Sequence, residues 1–97
     1  MTAHPFIDDA DAMRFEQAFE TQADGTRLVF CDYGVEGRTR VLLHVEADPL
    51  LRGTGASGRF MQALADHVRA HDLRVLPRCS YAVLWFQRHP DQQDLLA

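Results

Sequence analysis

The stretch Leu51-Arg52-Gly53-Thr54-Gly55-Ala56-Ser57-Gly58 constrains this chain more than any other, because a strand-like pattern runs into it and a helical pattern runs out of it. Its glycines allow backbone conformations in which amide N–H groups turn toward a ligand. A helix beginning at its end adds unpaired amides and the positive end of a dipole. Arg52 at the mouth supplies a countercharge. Such a loop suits a phosphate or pyrophosphate, so it reads as an anion cradle.

The segments on either side set the architecture. Residues 1–12 carry Asp8, Asp9 and Asp11 with little periodicity and read as a flexible N-terminal arm, leaving 13–97 as a single domain. Met13 to Phe19 alternates roughly, Asp24-Gly25 signals a hairpin, and Thr26 to Tyr33 is rich in strand formers. Thr39 to Glu46 alternates again, placing Val41, Leu43 and Val45 on one face and Leu42, His44 and Glu46 on the other. His44 and Glu46 then point the same way, about 7 Å apart. Asp48-Pro49 ends that strand. From Ser57 to about His71, Phe60, Met61, Leu64, Ala65 and Val68 recur at helical spacing as one buried stripe. Leu73 to Pro77 reads as a short strand, and Ser80 precedes a second helix through Phe86 that His89-Pro90 breaks. The order is strand, strand, strand, helix, strand, helix.

Composition narrows the function. At 97 residues the chain has room for one modest core and one site, not for a six-stranded dinucleotide fold with a substrate domain. No apolar run approaches the roughly 18–20 residues of a membrane span. A net charge of -4 gives no general pull toward nucleic acid or an acidic membrane. The N-terminus lacks the pattern of a secretory signal, and Cys31 and Cys79 are the only cysteines, so a cytoplasmic protein with reduced thiols is expected.

Residues 53–58 spell G-x-G-x-x-G, which raises the reading of a NAD(P)-binding fragment. Context argues against it: Ala47 to Leu51 separates the strand from the first glycine, and Leu73 to Leu76 ends in Pro77-Arg78 without a ribose-binding acid. A P-loop is weaker still, since no Gly-Lys-Ser/Thr follows. His67 and His71 have metal-binding helical spacing but no third ligand, so no metal is expected.

The same loop also reads R-x-x-G-x-S through Arg52, Gly55 and Ser57, and it resembles the Q/R-x-x-G-x-G/A motif of the GNAT (Gcn5-related) N-acetyltransferases. Ser57 departs from the usual glycine or alanine but is small. Arg14-Phe15-Glu16, Asp24-Gly25, His44-Val45-Glu46, Pro49, Arg52 to Gly55, Val75 to Tyr81 and His89-Pro90 are further similar to the small single-domain GNAT-like branch. The resemblance implies a minimal α/β (α+β) acyl-CoA N-acyltransferase fold, with a mainly antiparallel sheet and two main helices. It implies acetyl-CoA as cofactor, its pyrophosphate on the amides of residues 52–57 (Arg52, Gly53, Thr54, Gly55, Ala56, Ser57) and its pantetheine beside Val45.

Acetyl transfer to an amine then needs a base, amide donors for the oxyanion and an acid for the thiolate. His44 and Glu46 are candidate bases, or residues of a solvated strand face. Cys79, between Arg78 and a helix N-terminus that favour a thiolate, is a candidate nucleophile, proton donor or acyl acceptor, or else a small packing residue. Cys31 reads as core. Larger GNAT enzymes place a tyrosine acid in the last helix in a pattern like A-x-x-x-Y, and aligning Ala82 with that alanine puts Phe86 at the tyrosine position. Tyr81 or Cys79 remains as substitute, while Tyr81, Trp85 and Phe86 otherwise read as packing. The alternative is a weakly active or non-catalytic CoA-binding or protein-interaction module. The amine acceptor and the oligomeric state are not specified by the residues.

Overall fold

The computed structural model describes residues 1–97. Three long strands form its frame: β3 (Arg14–Thr21), β4 (Gly25–Glu36) and β5 (Thr39–Ala47), each antiparallel to the next. Two short strands precede them, β1 (Thr2–Ala3) and β2 (Ile7–Asp9), and both pair antiparallel with β3. After β5 comes a 3-10 turn, Pro49–Leu51, then α1 (Ala56–Ala70), β6 (Arg74–Pro77), α2 (Ser80–Gln87) and a closing 3-10 segment, Pro90–Leu95. β6 lies parallel to β5, as a strand returned by a crossover helix must. The result is a six-stranded, mostly antiparallel sheet with two α-helices.

The core lies between one face of the sheet and the helices. The expected stripe of α1, Phe60, Met61, Leu64, Ala65 and Val68, is fully buried against Phe15, Phe19, Val29, Cys31 and Leu42 of the sheet. Ala82, Trp85 and Phe86 of α2 complete the same cluster. Burial of this connected apolar surface is the main force holding the helices to the sheet.

Two features differ from the sequence expectation. Within residues 1–12, Thr2–Ala3 and Ile7–Asp9 pair with β3, Phe6 packs on the core, and the Tyr33 hydroxyl donates to Asp8 Oδ1 at 2.6 Å. Three residues, Ile7-Asp8-Asp9, are too few to show alternation, and their partners are supplied by β3. In β5, the pairing jumps from Asp32↔His44 to Tyr33↔Leu42, so Leu43 is an extra residue in a β-bulge. The bulge shifts the alternation. Leu42 and Val45 share the core side, whereas Leu43, expected beside Val41 and Val45, is 52% exposed.

Candidate functional site

The loop between β5 and α1 is held by its own side chains. Asp48 accepts from the Leu50 amide at 2.9 Å and lies 3.7 Å from Arg27, while Leu51 is buried as an apolar anchor. The Thr54 hydroxyl donates to the Leu51 carbonyl at 2.6 Å and accepts from the Ala56 amide at 3.2 Å. Gly53 and Gly55 adopt φ of 78° and 81°, in the left-handed region that side chains disfavour. With Gly55 capping α1, the chain enters the helix while its amides still face outward.

Internal bonds consume part of this donor set. The Arg52 and Thr54 amides bond to Pro49 and Leu51 carbonyls, and that of Ala56 bonds to Thr54. The amides of Gly53, Gly55, Ser57 and Gly58 have no partner in the molecule. The expected run of donors over 52–57 is thus narrowed to alternate positions and extended by Gly58. These groups border a cavity of about 440 Å³, also lined by Ala47, Asp48, Pro49, Leu51, Arg52, Ala56 and Tyr81. Thr54 does not line it; its work is to brace the loop.

A wedge opens beside the cradle. β5 and β6 pair only over Thr39–Leu42 and Arg74–Pro77. The Leu42 carbonyl takes the last links, from the Arg78 and Cys79 amides at 2.9 and 3.3 Å. Beyond this point β5 continues to Ala47, whereas the other chain turns into α2. Asp48 donates to the Leu28 carbonyl. By the alternation of an antiparallel pair, Glu46 and His44 turn their backbone groups toward β4, and Val45 turns its N–H and C=O into the wedge.

The predicted catalytic residues divide between two sides. His44 and Glu46 stand on the outer sheet face, with Nε2 to Oε1 at 3.1 Å and side chains 56% and 60% exposed. Cys79, half-buried, packs against the core at the start of α2. Burial, with Cys79 nearby as the second cause, pushes the Cys31 thiol up to about 12. Both cysteines are free. Tyr81 lines the cradle cavity, and burial followed by the proximity of Cys79 raises its pKa. The sequence offers Tyr81 as an acid or as packing, and its place in the cavity wall depends on how α2 lies against β5, which no local pattern encodes. Phe86 is buried in the core, so no acid stands at that position.

No group of three metal-ligating residues is present. The His67 and His71 rings lie 4.2 Å apart between centroids, tilted by 32°, and His67 Nε2 lies 3.4 Å from Asp8 Oδ2. Burial first, then His71, lowers the His67 pKa.

A mostly antiparallel sheet split along one parallel seam, with an amide cradle at the start of the crossover helix, is the architecture of GCN5-type acetyltransferases. A family model described as GCN5-related N-acetyl-transferase matches residues 18–95, and the chain belongs to this family. The fold is similar to that of a GCN5-like protein from Staphylococcus aureus solved in solution by NMR, with a TM-score of 0.63 at 19% identity, covering 88% of this chain and 81% of that one. No curated protein matches.

Proposed function

We propose that the chain transfers an acetyl group from acetyl-CoA to an amine. The observation that carries this reading is the set of four unpartnered amides, of Gly53, Gly55, Ser57 and Gly58, converging on a cavity at the open end of the β5–β6 wedge. Unpaired donors at a helix start suit a pyrophosphate, and Arg52 adds a countercharge at the rim. Val45 offers one amide and one carbonyl to an extended amide-bearing arm lying in the wedge. The cofactor supplies the acetyl group as a thioester.

The chain's own residues manage the protons. As the new C–N bond forms and the C–S bond breaks, the amine gives up a proton and the departing sulfur takes one up. Glu46 and His44, in mutual contact on the outer face, are the acceptor pair for the amine. Tyr81, whose pKa burial and then Cys79 raise further, and Cys79 two positions before it are the hydrogen donors near the wedge.

The test is CoA release with a panel of amines. A His44→Ala, Glu46→Gln double variant is expected to lose about 10²-fold or more in kcat with CoA affinity unchanged. Undiminished turnover in that variant would remove the pair from the mechanism. Intact-protein mass spectrometry after incubation with acetyl-CoA, on wild type and Cys79→Ala, reports whether Cys79 carries the acetyl group.

A second reading, a CoA-binding module without transfer, draws on the buried Phe86 in place of an acid. Tight CoA binding without turnover for any amine would select it.

A further inference from the structure

The cradle contains one group of the wrong sign for its ligand. Among the residues lining the cavity Asp48 alone is acidic, and the ligand proposed for that cavity is an anion. The carboxylate is not free to swing clear. Its Oδ1 accepts from the Leu50 amide at 2.9 Å, its backbone amide donates to the Leu28 carbonyl at 3.0 Å, and Pro49 follows it. The turn needs an oxygen acceptor at this point but not a charge, and a bare carboxylate would oppose a pyrophosphate across the cavity.

Arg27 meets that charge from outside the cavity. It lies on β4, is not among the lining residues, and brings Nη1 to 3.7 Å from Asp48 Oδ2. Its Nε donates at 2.9 Å to the Asp24 carbonyl in the β3–β4 hairpin, and the Thr21 hydroxyl holds that hairpin by accepting from the Asp24 amide at 2.8 Å. A planar guanidinium serves the hairpin and the carboxylate together. Oδ1 of Asp48 thus shapes the loop, and Oδ2 faces a cation that is itself anchored.

We propose that Arg27 is a positioning residue for the cofactor site, acting through Asp48: it cancels the charge of a carboxylate that the loop cannot dispense with, and so leaves the cradle receptive to a pyrophosphate. The proposal rests on the reading of residues 52–58 as a pyrophosphate cradle. Arg27 touches neither the cofactor nor the reacting atoms.

The test is titration with CoA by calorimetry, and with inorganic pyrophosphate followed by the amide shifts of residues 52–58, on wild type, Arg27→Ala and the double variant Arg27→Ala, Asp48→Asn. Asparagine keeps an oxygen acceptor for the Leu50 amide and loses the charge. Arg27→Ala is expected to weaken CoA binding about three- to tenfold. The double variant should return to within about twofold of wild type, although it lacks the ion pair altogether. The gap between wild type and Arg27→Ala should narrow as ionic strength rises from about 20 to about 300 mM. Chemical denaturation should find all three proteins folded, since an ion pair this exposed adds little stability. Wild-type affinity in Arg27→Ala, or a double variant as weak as Arg27→Ala, would overturn the proposal, the second outcome reducing the pair to a brace for the loop. Pyrophosphate binding with this pattern across the variants, in a chain that does not bind CoA, would support the role of Arg27 and sink the transfer reading. Binding of neither would overturn both.

Discussion

At Gly55 the backbone sits at φ of 81°, and a Cβ built there would meet nothing within 4 Å. Any penalty for a side chain is therefore conformational rather than steric, on the order of 1–2 kcal/mol. Gly55→Ala is expected to lose that much stability in denaturant unfolding and to weaken CoA binding. Gly58, which has ordinary φ, open space and a helical setting, gives the contrast: Gly58→Ala should gain about 0.5–1 kcal/mol. Equal effects would show that the loop does not hold the conformation described. His67 gives a pH-dependent case. Its pKa in the fold lies below the ordinary 6.5, so the unfolded chain takes up the proton first as pH falls. The resulting loss of stability begins near that value and ends once pH drops below the folded pKa. Tm of wild type should decline from pH 7 to pH 5, about the range of histidine titration, and more shallowly in His67→Gln. Asp94, lowered chiefly by its bond to Arg69, acts only in the more acid range.

At the scale of elements, the bulge in β5 decides which residues matter. Leu42 is fully buried and Leu43 is 52% exposed although both are leucines in one strand. Leu42→Ala should cost about 2–5 kcal/mol and Leu43→Ala under about 1 kcal/mol, measured by chemical denaturation. A reversed order would place the alternation back where the sequence put it. The bulge was not legible because alternation is a local pattern, and an extra residue is visible only against the partner strand. The same holds for β2, whose three residues acquire strand geometry from β3. By contrast, the stripe of α1 and the loop glycines were legible because helical spacing and backbone freedom are written into neighbouring residues. The loop's internal bonds were harder to read. The Gly53 and Gly55 amides are left without internal partners, whereas the Thr54 amide, expected among the donors, bonds to the Leu51 carbonyl and its hydroxyl braces the turn. Tyr81 joined the cavity wall through the packing angle of α2, which no short motif encodes.

For the whole molecule, one core holds both helices on one side of a six-stranded sheet and leaves a wedge at the β5–β6 seam. No helix is long and apolar enough to cross a membrane. The chain belongs to the GCN5-related N-acetyl-transferase family, and the loop between β5 and α1, beside the wedge, is where we propose that acetyl transfer takes place. Calorimetric titration with CoA beside NAD, on wild type and Arg52→Ala, tests that placement most directly. Saturable binding of CoA, none of NAD, and weakened CoA binding in Arg52→Ala is the expected result. Absence of CoA binding, or preference for NAD, would contradict the account.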